Sequence, residues 1–159
     1  MSDDAPGLGS DDAPGPGSDD GSGPGNASTS GAPAGEVYDW YTRALELLGR
    51  GDAAAAAQLL EHAHLSEPDA PSVREALARA LFDAGRYAEA VAAFEALIVR
   101  RPDDDYAHFG LGLALARQGN FRLAVEHLAL AAAMRPERRD YVQALRQSRA
   151  TLRAREANG

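Results

Sequence analysis

Residues 83–105 read DAGRYAEAVAAFEALIVRRPDDD, and the pattern in this stretch recurs 34 residues earlier and 34 residues later. Gly51, Gly85 and Gly119 share one column, Ala56, Ala90 and Ala124 a second, Leu60, Phe94 and Leu128 a third, and Pro68, Pro102 and Pro136 a fourth. A fixed period of this length marks a supersecondary unit that cannot bury its apolar face alone and stacks on copies of itself. Within the stretch, Tyr87, Ala90, Val91, Phe94, Leu97 and Ile98 fall on one face at the helical period, between a turn at Gly85 and a stop at Pro102. Each unit is therefore read as two helices joined at a glycine.

Working outward, the first helix is expected over about 36–48, with Trp40, Ala44, Leu47 and Leu48 on one side. Gly49 and Gly51 end it, and Asp52 is placed to cap the next helix by accepting from first-turn backbone N–H groups. That second helix carries Ala53, Ala56, Ala57, Leu60 and Ala63, a stripe of small groups that packs closely but buries little. Val73, Leu77, Ala78 and Leu81 follow on the third helix after Pro71. The last unit repeats the arrangement with Leu111, Gly112 and Leu115, Asn120 as a cap, then Phe121, Ala124, Val125, Leu128 and Ala131. Gly112 and Ala78 let helix backbones approach, so a large residue at Gly112 or Ala90 is expected to overpack the hairpin at a cost of about 1–3 kcal/mol. A final helix over about 138–156 turns Tyr141, Val142, Leu145 and Leu152 toward the stack and arginines outward, as a solvating cap.

The period, the small residue at Ala44, Ala78 and Gly112, the Leu three further on at Leu47, Leu81 and Leu115, and the closing Pro resemble the tetratricopeptide repeat. Trp40 opens the first unit as that family's pattern prefers, whereas Arg74 and His108 hold the same column in the other two. The resemblance covers about residues 37–138. It implies an all-α fold, a right-handed superhelix of about seven helices in antiparallel pairs, with repeats at about 37–70, 71–104 and 105–138 and a capping helix at 138–156. It also implies a binding scaffold rather than a catalyst.

Composition bounds the rest. Residues 1–35 contain no aromatic, no Ile and no Val, so they cannot bury enough surface to offset the entropy of ordering them. They include SDDAPGLG, SDDAPGPG and SDDGSGPG in succession, and are read as a disordered acidic tail and linker preceding a helical domain at 36–156. The net charge of −8 divides unevenly: the tail holds six Asp and no base, leaving 18 acids against 16 Arg in the remainder. A nearly neutral folded part disfavours general nucleic-acid binding. There is no Cys, hence no disulfide framework. The chain opens MSDD, without a basic and apolar leader, and no apolar run approaches a membrane span, so a cytoplasmic location is expected.

No catalytic constellation emerges. His62 and His64 are two apart, which on a helix points them to opposite sides, and His108 and His127 lie on different helices. The run Asp103-Asp104-Asp105 lacks the spaced oxygens and glycine of a calcium loop and is read as a cap for the fifth helix. Gly110 and Gly112 fall inside a helix with no strand before them, so packing explains them better than phosphate binding. There is no lysine and no nucleophile elbow. No enzyme, cofactor or metal is expected.

The resemblance further implies that the first helix of each pair lines a concave groove. By repeat register the groove-facing side chains are Tyr38, Tyr41 and Leu45, then Ser72, Glu75, Arg79 and Phe82, then Tyr106, Phe109, Leu113 and Arg117. Rings with arginines between them suit an extended or helical peptide with apolar anchors and a carboxylate. The competing reading is that several of these rings pack between helices instead. The carboxylate clamp of a chaperone-binding subgroup is absent, since Tyr41, Leu45, Ala76, Tyr106 and Gly110 stand at its positions. The expected function is a protein-interaction adaptor with a protein or peptide partner. Self-association is the alternative, and a weaker one is contact of the Arg-rich last helix with nucleic acid or an anionic membrane, since residues from Arg135 onward carry seven Arg against three acids.

Overall fold

The structure, a computed structural model, describes residues 35–159. The acidic tail expected over 1–35 lies almost wholly outside the described residues. Among the described residues there are seven helices and no strand: α1 (Gly35–Gly49), α2 (Ala53–Ser66), α3 (Pro71–Asp83), α4 (Tyr87–Arg100), α5 (Asp105–Arg117), α6 (Phe121–Met134) and α7 (Arg139–Asn158). They fall into two compact units, 35–86 and Tyr87–Gly159. In the first, α1 packs on α2, α2 on α3, and α1 touches α3; in the second, α4, α5, α6 and α7 pack in sequence, and α5 also touches α7.

The glycine column makes the helix ends. Gly51, Gly85 and Gly119 have φ of 85°, 82° and 85°, a left-handed conformation that side chains with a Cβ resist. At each, two backbone bonds close the helix: Asp52 N–H donates to the Leu47 carbonyl and Gly51 N–H to Leu48, and the same pair recurs from Arg86 to Leu81 and Gly85 to Phe82, and from Asn120 to Leu115 and Gly119 to Ala116. This is the Schellman closure, which satisfies carbonyls left open at a helix terminus. Side chains also cap the starts of α2, α5 and α6. Asp52 accepts from Ala55 N–H at 3.4 Å, Asp104 from Ala107 at 3.0 Å and Asn120 from Leu123 at 3.3 Å.

Small residues and bulky ones alternate in the core. Ala44, Ala56, Leu60, Val73, Ala78, Ala90, Phe94, Ala124, Leu128 and Ala131 are fully buried. In the second unit a Cβ added at Gly110 would meet ring carbons of Phe94 at 2.3 Å, and one at Gly112 would meet Leu128 Cγ at 2.6 Å and the Ala124 carbonyl at 3.2 Å. Helices α4, α5 and α6 therefore approach more closely than any side chain at those two positions would permit. On α1, Val37 joins Ala44, Leu47 and Leu48 in the core, while Trp40 is only half-buried and tilts against His62 at 5.7 Å. The last helix packs through Tyr141, Ala144, Leu145 and Ser148. Its far end is tied down as well, because Arg155 donates to the Gly119 carbonyl at 3.2 Å, its guanidinium lies 4.7 Å over the Phe121 ring, and Arg122 pairs with Glu156 at 3.1 Å.

Candidate functional site

The leading helices of the pairs are α1, α3 and α5, and the residues expected on their groove faces divide by burial. In the first unit Tyr38 is 54% exposed, while Tyr41 and Leu45 on α1 and Glu75 and Arg79 on α3 are half-buried. The Tyr41 hydroxyl hydrogen-bonds Ser72, which joins α1 to the start of α3; burial, reinforced by the nearby Glu75, pushes its pKa up to about 12. Arg79 Nε is buried without a hydrogen bond and stands 3.8 Å from Asp83 one turn along. Phe82 is buried.

In the second unit the rings on α5 are core. Tyr106 meets Phe94 edge-on, with ring centres 6.3 Å apart at 66°, and Phe109 stacks on Tyr141 at 4.5 Å. Tyr141 is fully buried, lies under the Arg138 guanidinium and donates to Asp105 Oδ2 at 2.7 Å. Burial and that carboxylate hold its hydroxyl well above the ordinary tyrosine range. Phe82, Tyr106 and Phe109 thus do not stand free as anchors, and the packing alternative describes these three. For Phe109 the physical cause is on α7, where Tyr141 offers a flat apolar partner, and for Tyr106 it is on α4, where Phe94 meets it edge-on; a ring gains more by such contact than by facing water.

A hollow of about 510 Å³ opens in the second unit, between the C-terminal half of α5, the start of α6 and the middle of α7. Leu113 is buried at its base, Phe121 and Ala144 continue the apolar wall, and Arg117, Gln147 and Thr151 supply polar groups. Arg117 is exposed, and its guanidinium donates to the Tyr87 hydroxyl at 2.5 Å and lies 5.4 Å from that ring's centre. Gln147 and Thr151 were missed by the sequence reading, although a signal existed: they follow Leu113 and Arg117 by one repeat length. Helix α7 thus continues the register of the leading helices as well as covering the end of the second unit.

The structure also joins His108 and His127, which the sequence left apart. Their Nδ1 atoms are 3.1 Å apart and the rings stack with centres 5.3 Å apart. His108 Nε2 lies 2.9 Å from the Pro102 carbonyl, so it carries a proton and donates there. His108 Nδ1 is then an acceptor, and His127 Nδ1–H donates to it. Burial and the neighbouring His108 lower the His127 pKa, against a smaller upward pull from Glu126 and Glu95. No group of three or more His, Cys, Asp or Glu able to hold a metal gathers among the described residues.

Repeated glycine-closed helix pairs around an alanine and leucine core define a helical-repeat protein. The sequence profile of the Tetratricopeptide repeat family matches residues 41–104 and again 75–139. The chain belongs to the tetratricopeptide-repeat family. A search of curated proteins gives no match. Among solved structures it resembles a double mutant of MamA from RS-1, with 22% identity, a TM-score of 0.69 and coverage of 73% of this chain and 65% of that one. The Sgt2 repeat domain from Aspergillus fumigatus shows 21% identity and a TM-score of 0.69, over 81% of this chain and 85% of the other. The first repeat domain of Spaghetti (RPAP3), solved with the HSP90 peptide SRMEEVD, shows 14% identity and a TM-score of 0.68, over 74% and 93%. At these identities the likeness shows the fold, and the chain spans about two thirds of the MamA structure. No helix among the described residues is long and apolar enough to cross a membrane.

Proposed function

We propose that this protein is a non-catalytic adaptor that takes a peptide segment of a partner protein on its leading-helix faces. The observation that carries the reading is the hollow on the second unit, apolar at Leu113, Phe121 and Ala144 and polar at Arg117, Gln147 and Thr151. Such a mixture fits one aliphatic side chain flanked by backbone amides and an acidic group. Exposed Tyr38 and half-buried Tyr41, Leu45, Glu75 and Arg79 form the corresponding face of the first unit. Membership of a family of interaction scaffolds supports the reading, and so does the peptide complex of the RPAP3 domain, whose ligand ends in acidic residues and Val-Asp. The basic clamp for a chaperone tail is absent here, which favours a different peptide.

Self-association is the competing function, favoured by Leu65 and Val99, which are 76% and 81% exposed. Panning a random peptide library on the full chain separates the two. Peptides enriched on the wild type are then measured by fluorescence anisotropy against Arg117→Glu and Thr151→Trp, with helicity followed by circular dichroism. Binding lost in both variants at unchanged helicity supports the adaptor. Retention of the same peptides, or light scattering that shows a stable oligomer shielding the hollow, removes it.

A further inference from the structure

Helix α7 presents a stripe of arginines that nothing described neutralises. At 100° per residue Arg139, Arg146, Arg149 and Arg153 fall on one side of the helix, opposite buried Tyr141, Ala144, Leu145 and Ser148. All four are exposed. The acids of this helix are engaged elsewhere, Asp140 with Arg138 at 2.8 Å and Glu156 with Arg122 at 3.1 Å. Over fourteen residues the stripe runs about 21 Å at 1.5 Å per residue. Beside it is a second hollow, of about 580 Å³, where Arg139 and Arg146 flank the apolar Pro136 and Val142. A ligand for this face needs carboxylates in spaced groups and small apolar side chains between them.

The chain itself carries such a segment. Residues 2–25 place Asp pairs at 3–4, 11–12 and 19–20, and the first two pairs are each followed by Ala-Pro. In an extended run at about 3.1 Å per residue, successive pairs would lie about 25 Å apart, close to the length of the stripe. Residues 1–34 carry six Asp and no base, against four arginines with no ion pair among the described residues. The segment is long: 34 residues of main chain span up to about 110 Å. Tethering also gives the segment an effective concentration of about millimolar, well above that of a free acidic competitor.

We infer that the acidic N-terminal segment docks on the arginine stripe of α7, its aspartates on Arg139, Arg146, Arg149 and Arg153 and its Ala-Pro steps on Pro136 and Val142. The stripe carries no aromatic side chain and the chain no lysine, which makes it a poorer match for single-stranded nucleic acid or a membrane surface than for carboxylates.

The absence of cysteine allows a direct test in the full chain. A nitroxide on Ser10→Cys should erase the amide signals of residues 139–153 in ¹⁵N-labelled protein at about 0.01 M salt, where charges act over about 30 Å, and restore them at about 1 M, where they act over about 3 Å. The loss should vanish in the quadruple Arg→Gln variant of the stripe. It should vanish equally when the six aspartates are changed to Asn, a substitution outside every described helix. Signals of α7 unaffected by the label at low salt, or a loss that persists in the six-Asn chain, overturn the inference. A loss seen only when spin-labelled chains of natural isotope composition are mixed with labelled-nitrogen chains assigns the stripe to a second copy. A stripe untouched by the nitroxide but shifted by duplex DNA assigns it to nucleic acid. Either result removes the intramolecular contact.

Discussion

Gly110→Ala should destabilise this protein even though it replaces the poorest ordinary helix former by the best. In a solvent-exposed helix the exchange gains about 1 kcal/mol. Here the new methyl would stand 2.3 Å from two ring carbons of Phe94 and 2.8 Å from a third. Non-bonded carbons rest about 3.5–4.0 Å apart, so the methyl would lie inside the ring's van der Waals surface. Phe94 is fully buried and Tyr106 meets it edge-on, which leaves the ring little room to retreat. The overpacking cost therefore belongs at the upper end of its usual range, about 3 kcal/mol, for a net loss of about 2 kcal/mol. At about 4 °C per kcal/mol in a domain of this size, thermal denaturation followed by circular dichroism should show a fall of about 8 °C. The equivalent positions elsewhere pair Leu60 with Ala76 and Leu128 with Ala144, so the larger Phe94 coincides with the smaller Gly110. Phe94→Leu combined with Gly110→Ala recreates the Leu and Ala pairing and should melt well above the sum of the two single losses. A Gly110→Ala protein that melts at or above the wild type, or single effects that add without interaction, would refute close contact of α4 and α5 at this point.

Gly85→Ala meets no atom within 4 Å, so its effect is conformational alone; φ of 82° should cost about 1–2 kcal/mol, read as a lowered melting temperature with unchanged helicity. Tyr141→Phe removes the donor to Asp105 and should cost about 1–2 kcal/mol in urea denaturation, with an unchanged m value. His127 binds protons less readily folded than unfolded, so stability is intact above the ordinary histidine value of about 6.5 and declines as pH falls from there through the lower folded value. Melting temperatures taken between about pH 7.5 and 5.5 should show that decline, and His127→Asn should flatten it; identical pH profiles would exclude the histidine pair as its source.

The helix boundaries were legible because the signals that set them are local. Asp52, Asp104 and Asn120 cap a helix within three residues of themselves, and the glycine column closes helices through bonds spanning five residues or fewer. Expected and observed limits of α1 differ by a residue at each end, 36–48 against Gly35–Gly49. The candidate site was less legible. The same register that placed Tyr38, Tyr41 and Arg117 on accessible or half-accessible faces also placed Phe82, Tyr106 and Phe109 there, and these three are buried. Register tells which side of a helix a residue occupies and says nothing of how wide the next helix is at that height. Ser148 and Ala144 on α7 illustrate the point, since neither stood out in an arginine-rich stretch and both are buried.

The amino-acid sequence by itself determined the period, the helix pairs, their caps and the family, since each depends on residues within one 34-residue unit. Tertiary structure alone decided that Phe109 stacks on Tyr141, that His108 meets His127, and that Leu113 and Arg117 border a hollow completed by Gln147 and Thr151. Those outcomes depend on the volumes of side chains about 20 to 35 positions away in sequence, which close packing compares only once the helices have docked.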